Sequence, residues 1–278
     1  MNSYVFISGA AGGLGKAFAV ECASRGWKLF LTDLRAENLQ LLADGLRRSY
    51  GVEVLYQPCN LADAGERKGF LELIRKQGLR FWMLINVAGL DYEGLFLDRS
   101  GSQICNIIRV NIESTLDITH AILNRMDPLK SLRIITVSSL AAFYPMPVKA
   151  TYAASKRFLL DFFLALGEEI RPLGATVTVL CPAGMPTNPE CLQAIEAQGW
   201  MGQITTQNTG KVAADTIEAA LRGKTLVIPG WINRLLCFLG SLVPPRLLAA
   251  LISRRWQKAR SRRFGDAAAL HAMEQPIP

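Results

Sequence analysis

A tyrosine and a lysine four residues apart are the first candidates for chemistry in this sequence, Tyr152 and Lys156 in the stretch TYAASK. Residues at this spacing lie on one face of a helix, so the lysine ammonium can reach the neighbourhood of the phenol. A phenol alone has a pKa of about 10, and a nearby cation favours its ionised form. The pair is either a proton-transfer device or two ordinary residues on a half-buried helix face. The spacing is common and does not decide between them.

Two further polar residues could face the same place. Ser139 ends the apolar run RIITVSS, thirteen residues before Tyr152, and Asn111 lies in the stretch VNIES. Doubly wound sheets place their sites at the carboxyl ends of the strands, where a hydroxyl can stabilise charge on a substrate oxygen. For Ser139 taken alone, a hydroxyl that caps a turn is the more common explanation.

The stretch SGAAGGLGKAF joins the first apolar run to the first helical stretch, with Gly9, Gly13 and Gly15 spaced as G-x-x-x-G-x-G. Glycine suits this place because a side chain would keep a pyrophosphate away from the backbone amides and from the positive end of the helix. A tight turn that binds nothing is the alternative. The strand before and the helix after supply the context that dinucleotide binding requires.

An acidic residue, Asp33, ends the second apolar run in LFLTD, eighteen residues after Gly15. A carboxylate at this place can accept hydrogen bonds from the ribose diol of adenosine, and it repels a 2′-phosphate. It therefore favours NAD over NADP, unless it is only a helix-capping or loop residue. Arg35 weakens the preference, because an arginine beside the ribose can pair with a 2′-phosphate.

Apolar runs of strand length alternate with amphipathic stretches of helix length along most of the chain. Such alternation, with strands that are apolar almost throughout, is typical of a parallel sheet covered by helices on both faces. The sequence therefore predicts an α/β fold, a Rossmann-type doubly wound parallel sheet of about seven strands with a C-terminal helical extension. The predicted strands are 4–8, 28–33, 53–57, 81–89, 133–139, 176–182 and 225–229, and the predicted helices are 13–25, 36–49, 63–77, 102–125, 152–170 and 209–222.

The composition excludes several classes of protein. Half of the residues are hydrophobic, which is enough for a large core, and six scattered cysteines with two histidines give a zinc site little support. We therefore expect reduced thiols and no metal. Because the strand-like run SYVFIS follows directly after Met1 and Asn2, we expect a cytoplasmic protein. The net charge of +8 arises in 224–263, which holds nine Lys or Arg and no acid. No nucleic-acid-binding motif accompanies this basic segment, so we expect no nucleic-acid partner.

With these residues placed, the chain resembles the short-chain dehydrogenase/reductase family over about 3–230. The glycine turn is similar to the family's T-G-x-x-x-G-x-G, with Ser8 in place of threonine, and NVAG at 86–89 is similar to N-N-A-G. Ser139, Tyr152 and Lys156 match the family's serine and Y-x-x-x-K, and Asn111 matches its helix asparagine. The segment CPAGMPT, which ends at Thr187, is similar to P-G-x-x-x-T. The chain departs from the family at Val87, Ala183 and Asn60, where the family usually has asparagine, glycine and aspartate.

The resemblance implies a catalytic dinucleotide-binding domain over 1–230 that uses NAD, with NADP as the alternative. It implies that Tyr152 is the general acid and base, that Lys156 lowers the tyrosine pKa and holds the nicotinamide ribose, that Ser139 orients the substrate oxygen, and that Asn111 holds a water in a proton relay. Besides Tyr152 and Lys156, the implied cofactor-binding residues are Ser8, Gly9, Gly13, Leu14, Gly15, Asp33, Asn60, Leu61, Asn86, Ala88, Gly89, Pro182 and Thr187.

The expected activity is the interconversion of a hydrophobic secondary alcohol, of hydroxysteroid or fatty-acyl type, and its ketone by hydride transfer. An NADP-dependent 3-oxoacyl-type reductase and a non-catalytic dinucleotide-binding regulator or scaffold are the alternatives. A sugar-nucleotide epimerase or dehydratase is disfavoured because those longer relatives usually carry a larger C-terminal domain than the one expected here. The resemblance also places a substrate lid near 183–208, whose apolar residues either line the site or only pack on the domain.

A basic amphipathic extension over 231–278, with a frayed tail, follows the predicted domain. Its apolar residues recur at helical spacing while its cations occupy other faces, and Pro244 and Pro245 interrupt it, so it is too broken to span a bilayer. Three explanations remain open for 231–263: packing on the domain or on a second subunit, contact with an anionic membrane surface, and docking of an acidic carrier protein. The family commonly forms dimers or tetramers, so we expect a homo-oligomer.

Overall fold

The computed structural model of the protein describes 3–186 and 206–264, with side chains described as far as Arg254 in the last helix. Within these residues seven strands form one sheet of order β3-β2-β1-β4-β5-β6-β7, and all neighbouring strands are parallel. The strands are β1 Ser3–Ser8, β2 Leu29–Thr32, β3 Val54–Tyr56, β4 Arg80–Asn86, β5 Arg133–Val137, β6 Thr176–Leu180 and β7 Leu226–Val227. This arrangement confirms the predicted doubly wound sheet.

Helices cover both faces of the sheet. They are α1 Gly13–Ser24, α2 Ala36–Tyr50, α3 Ala64–Lys76, α4 Gly101–Ile108, α5 Ser114–Leu123, α6 Ala150–Ile170, α7 Thr209–Leu221, α8 Trp231–Ser241 and α9 Pro245–Phe264. Local signals set several of their ends: Asp63 accepts a hydrogen bond from the Glu66 amide at the start of α3, Ser100 and Gln103 form a capping box on α4, and Gly51 ends α2 in the left-handed conformation.

The hydrophobic core consists of one cluster on each face of the sheet. Side chains of α3, α5 and α6 pack on one face around stacked Phe6 and Phe30, whose ring centres are 5.6 Å apart. Side chains of α1, α2 and α7 pack on the other face around Val5 and Ile7. Because β1 is buried on both faces, alternate residues of one apolar run serve the two clusters. The direction of the strand order reverses between β1 and β4, and a crevice forms at the carboxyl ends of strands at such a point.

The predicted helix 102–125 is interrupted. A π-helical turn, Arg109–Glu113, separates α4 from α5, and it contains the buried Asn111. A π turn adds one residue to the helix and is frequent at functional sites. Helical periodicity alone does not reveal it, because apolar residues continue on both sides of the insertion.

The C-terminal extension packs on the domain through one side of α8. Cys237 is buried and forms a hydrogen bond with the hydroxyl of Tyr144, and a Cβ at Gly240 would overlap the Tyr144 ring. The opposite side of α8 is exposed. Within the described residues, no helix combines the length and the apolar character that crossing a bilayer requires.

Candidate active site

The glycine turn after β1 forms a close contact with the turn after β4. Gly9 has φ +64°, and a Cβ there would lie 2.8 Å from the backbone of Ala88. The hydroxyl of Ser8 accepts hydrogen bonds from the backbone N–H groups of Val87 and Ala88, at 3.2 and 3.4 Å. These contacts join the two strands at which the strand order reverses. They require glycine at position 9, because a side chain would meet the neighbouring backbone.

The first turn of α1 is open to an anion. Gly12 precedes the helix without a side-chain hydrogen bond to its first N–H groups, and the first turn, which starts at Gly13 and Leu14, contains no acidic residue. A Cβ at Gly15 would collide with the backbone of Gly9, so glycine is needed for the turn to close. Uncapped N–H groups at the positive end of a helix bind phosphate. These residues therefore fit the pyrophosphate of a dinucleotide.

The carboxylate of Asp33 is held at the carboxyl end of β2. Its Oδ2 accepts a hydrogen bond from the Ala11 amide at 2.9 Å and its Oδ1 accepts one from the Arg35 amide at 3.2 Å. The side chain of Asp33 is buried, whereas that of Arg35 is 61% exposed with its Nε 4.0 Å from Asp33 Oδ1. The acid and the base thus lie side by side where the adenosine ribose is expected.

Two of the predicted cofactor-binding amides have partners within the protein. Asn86 Nδ2 donates to the hydroxyls of Thr119 and Thr136 at 3.1 and 3.4 Å, and within 3–186 and 206–264 its buried Oδ1 has no hydrogen-bond partner. Asn60 Oδ1 accepts from the Ala62 amide at 3.1 Å. Asn86 therefore connects β4 with α5 and β5, and this amide stabilises the centre of the sheet. Cofactor contacts of these residues stay predictions.

The predicted proton-transfer pair lies at the start of α6. The ammonium of Lys156 lies 5.6 Å from the centre of the Tyr152 ring and donates to the carbonyl of Val137 at 2.9 Å. The backbone carbonyl of Lys156 accepts from the Ser138 hydroxyl at 2.7 Å, so two bonds fix this lysine against the end of β5. Burial lowers the pKa of Lys156 to about 8, although the negative charge of Asp91 acts in the opposite direction.

Asn111 connects the π turn with the site. Its Oδ1 accepts from the Leu90 amide at 2.7 Å, and its Nδ2 donates to the Leu90 carbonyl at 3.1 Å and to the Ser155 hydroxyl at 2.9 Å. A Cβ at Gly89 would lie 3.2 Å from Lys156 Nζ and 3.4 Å from Asn111 Oδ1. Glycine at position 89 thus leaves space between the ammonium and the amide oxygen, and the water relay stays a prediction.

Ser139 lies two residues beyond the end of β5 and not within the strand. Its Oγ accepts a hydrogen bond from the Ala141 amide at 3.1 Å, so the hydroxyl proton points elsewhere and can be donated. The next residue, Leu140, donates from its amide to the carbonyl of the buried Pro182 at 2.9 Å, which joins the loops after β5 and β6. Leu61 is also buried, and its carbonyl accepts from Arg67 at 2.8 Å.

A second lysine beside Tyr152 was not predicted from the sequence. The ammonium of Lys149 lies 5.8 Å from the centre of the Tyr152 ring and forms ion pairs with Asp91 at 2.5 Å and Glu93 at 3.2 Å. Burial alone would lower the pKa of Lys149, but the two carboxylates outweigh it and raise the pKa above its usual value. The spacing of Lys149 from Tyr152 is the only signal for it in the sequence, and nothing there indicates its acidic partners.

Part of the predicted site lies outside the described residues. These are Thr187 and most of the predicted lid. At the two ends of that gap, the Gln207 amide donates to the Gly184 carbonyl at 3.3 Å. Among the residues that the structure describes, no group of three His, Cys, Asp or Glu side chains could hold a metal ion.

Known proteins share both the sequence pattern and the fold. The 11-beta-hydroxysteroid dehydrogenase-like 4A of Arabidopsis thaliana is 30% identical over 250 residues, 88% of this chain and 82% of that protein. The very-long-chain 3-oxoacyl-CoA reductase of Anas platyrhynchos is 32% identical over 188 residues, 66% of this chain and 59% of that protein. A solved structure from work on 7beta-hydroxysteroid dehydrogenase stereoselectivity has a TM-score of 0.79 at 24% identity and covers 90% of this chain and 96% of that one.

The family model described as short chain dehydrogenase matches residues 3–195. This range includes the glycine turn, Asp33, Ser139, Tyr152 and Lys156. The chain belongs to the short chain dehydrogenase family of oxidoreductases, which bind a nicotinamide dinucleotide.

Proposed function

We propose that this protein interconverts a hydrophobic secondary alcohol and its ketone with NAD(H), and that Tyr152 is the general acid and base. The observation that carries the proposal is the buried ammonium of Lys156, 5.6 Å from the centre of the Tyr152 ring and beside Gly89 in the segment after β4. A cation at this distance favours the phenolate. The crevice that receives a dinucleotide in doubly wound folds lies at the same edge of the sheet.

In the proposed reaction, hydride is added to or removed from the carbonyl carbon. A proton must be added to or removed from the oxygen bonded to that carbon. A bound nicotinamide cofactor would supply or accept that hydride. During reduction Tyr152 gives its phenolic proton to the carbonyl oxygen, and during oxidation it takes the proton of the alcohol. Lys156 stabilises the phenolate, and Ser139, whose oxygen is already held by the Ala141 amide, donates its own proton to the substrate oxygen. A water between Asn111 and Lys156 would complete the proton relay.

The buried carboxylate of Asp33 is the reason to propose NAD rather than NADP. It lies where the ribose diol is expected, and its negative charge opposes a 2′-phosphate. An NADP-dependent reductase of 3-oxoacyl substrates is the second candidate, because the guanidinium of Arg35 is largely exposed beside that carboxylate and could pair with the phosphate. The name of the Anas platyrhynchos relative is consistent with such a substrate.

The proposed substrate is a steroid or fatty-acyl compound. The names of the relatives point to these two classes, and the walls around Tyr152 include apolar side chains of α4 and of the segment after β4. Apolar walls with few polar groups suit a bulky hydrophobic ligand.

We further propose that α8 lies on an anionic membrane surface. Its exposed side carries large apolar residues at helical spacing, and 224–263 has nine cations without an acid. The exposed residues are Trp231, Leu235, Phe238, Leu239 and Leu242. An apolar stripe together with cations is the pattern of a helix that lies in a membrane interface. A homo-oligomer that covers the stripe is the alternative.

The decisive experiment combines a panel of steroid and acyl ketones with Tyr152→Phe. The wild type should oxidise NADH with members of the panel. In Tyr152→Phe the rate of NADH oxidation should fall about 10²- to 10⁴-fold, while NADH still binds. Tyr50→Phe removes a hydroxyl at the end of α2, where the side chain is 41% exposed, and serves as the control. A wild type that binds NADH and turns over no ketone would favour the regulator or scaffold.

A further inference from the structure

A cavity of about 240 Å³ has Tyr152 in its wall. It lies between the segment after β4, helix α4 and the residues that precede α6, and Phe96, Ile104 and Ile107 make much of its wall apolar. Pockets for whole drug-sized ligands measure roughly 300–1,000 Å³. This cavity therefore has room for one end of a bulky substrate whose reacting carbon lies at Tyr152.

Two cations in the wall of this cavity differ in their partners. Lys149 forms ion pairs with Asp91 and Glu93. Arg99 also lines the cavity, and its buried Nε has no hydrogen-bond partner among the residues that the structure describes. No ion pair joins Arg99 to any residue in the described parts of the chain. A buried donor without an acceptor is costly and calls for an explanation, such as a ligand that supplies the acceptor.

Residue 94 must lack a side chain for the guanidinium of Arg99 to lie where it does. A Cβ at Gly94 would lie 2.6 Å from Arg99 Nε and would also overlap Nη2. The Gly94 amide donates to the carbonyl of Val148 at 3.0 Å, so the same glycine joins the two walls of the cavity. Val148 has φ +71°, a conformation that is strained for a β-branched residue. Glycine at position 94 therefore leaves room for the guanidinium beside the strained backbone of Val148.

We propose that this cavity binds a carboxylate at the far end of the substrate, with Arg99 as its partner, so that the substrate is a hydrophobic keto acid or hydroxy acid. This inference rests on the proposed function and narrows its substrate class. A guanidinium presents two parallel N–H groups that match a carboxylate, which a point-charge ammonium does not. Lys149, Asp91 and Glu93 together carry one excess negative charge, which repels a carboxylate from their side of the cavity and favours the Arg99 side.

The test uses steroid ketones with a side-chain carboxylate, each paired with its methyl ester. In the wild type kcat/KM should be higher for the acid than for the ester by about tenfold or more, since a charged hydrogen bond is lost in the ester. Arg99→Gln should lower this acid-to-ester ratio by about tenfold to a hundredfold. Gly94→Ala keeps the charge but displaces the guanidinium, so it should lower the ratio in the same direction. Arg109→Gln removes an exposed cation next to α4 and should leave the ratio as it is.

A binding measurement separates this inference from the proposed function. Calorimetry with the keto acid, added to the protein in the presence of NAD, the oxidised coenzyme that cannot reduce a ketone, should give a dissociation constant that rises about tenfold or more in Arg99→Gln. If the panel shows no turnover, the proposed function fails, and the calorimetric result still decides the role of Arg99. Equal kcat/KM for the acid and its ester in the wild type would overturn the carboxylate site. So would an acid-to-ester ratio and a dissociation constant of the acid that are both unchanged in Arg99→Gln.

Discussion

The ammonium of Lys149 lies 5.8 Å from the centre of the Tyr152 ring, almost as close as that of Lys156 at 5.6 Å. The proposed general acid therefore lies beside two cations, of which one is paired with Asp91 and Glu93 and the other is buried against a backbone carbonyl. Because both cations and both carboxylates act on one phenol, each makes a separate and signed contribution to its acidity.

Substitutions at Lys149 and Asp91 should move the pH profile in opposite directions. Lys149→Met removes a positive charge and leaves two carboxylates, so the tyrosine pKa should rise, whereas Asp91→Asn removes a negative charge and should lower it. We expect the pKa of Tyr152 in the pH profile to move by about 0.5–1, because Lys149 and Asp91 are partly exposed and solvent screens their charges. The measurement is kcat/KM for alcohol oxidation against pH at saturating NAD.

Lys68→Met, on an exposed face of α3, is the matched control and should leave the profile in place. A loss that is merely structural would lower the rate at every pH without moving the profile. Shifts of the same sign in Lys149→Met and Asp91→Asn would contradict the electrostatic explanation.

The free energy of unfolding should depend on Lys156 in a pH-dependent way. Its pKa is lowered by burial to about 8 in the folded protein, from 10.5 for an ordinary lysine. Between these values the unfolded chain holds a proton that the folded chain has released, so stability rises with pH from about 8 to 10.5. Below that window the folded state carries a buried charge at a cost of up to about 3 kcal/mol, from about 1.36 kcal/mol per pKa unit.

At pH 7 the free energy of unfolding of Lys156→Met should therefore exceed that of the wild type by about 1–3 kcal/mol, and its urea midpoint should be higher. The same substitution should abolish turnover. The difference between the two proteins should shrink as the pH approaches 10.5, the usual lysine value. Urea titrations at neutral and alkaline pH measure this difference. A variant that is less stable than the wild type at pH 7 would show that the bond from Lys156 to Val137 outweighs the burial of the charge.

Coenzyme preference should depend on two neighbouring residues. Asp33→Ala should raise the dissociation constant of NADH by about tenfold and that of NADPH less, because only the diol loses its acceptors. Arg35→Ala should weaken NADPH alone. Asp33→Asn keeps an acceptor for the Ala11 amide and separates the effect of charge from that of a loosened glycine turn. Equal losses for both coenzymes in Asp33→Ala would remove this residue from the ribose site.

Membrane contact should depend on the exposed side of α8. The protein should sediment with vesicles that contain phosphatidylserine at low salt, and less with phosphatidylcholine alone or at high salt. Replacing Leu235 and Phe238 together by serine should reduce binding several-fold, since both side chains are largely exposed apolar surface. If the protein does not sediment with vesicles and instead forms a concentration-dependent oligomer, the membrane proposal fails. Dissociation of that oligomer by the same double substitution would assign the exposed side of α8 to a subunit interface.

The sequence by itself determined the elements and most of the candidate site. Strands buried on both faces are apolar almost throughout, so they are visible as runs, and the glycine turn is specified by its position between a strand and a helix. Tyr152 and Lys156 could be paired because helical spacing is local. The order Ser139, Tyr152, Lys156 along the chain could be recognised without coordinates.

Only the tertiary structure decided which distant groups meet. The ion pair between Lys149 and Asp91 joins residues 58 positions apart. The loop after β4 brings Gly94 against the Arg99 guanidinium, where a side chain at position 94 would overlap it. The π turn contains Asn111, whose side chain satisfies the backbone of the distant Leu90. Such contacts depend on strand order and loop path, which long-range packing selects, and no periodicity in the sequence records them.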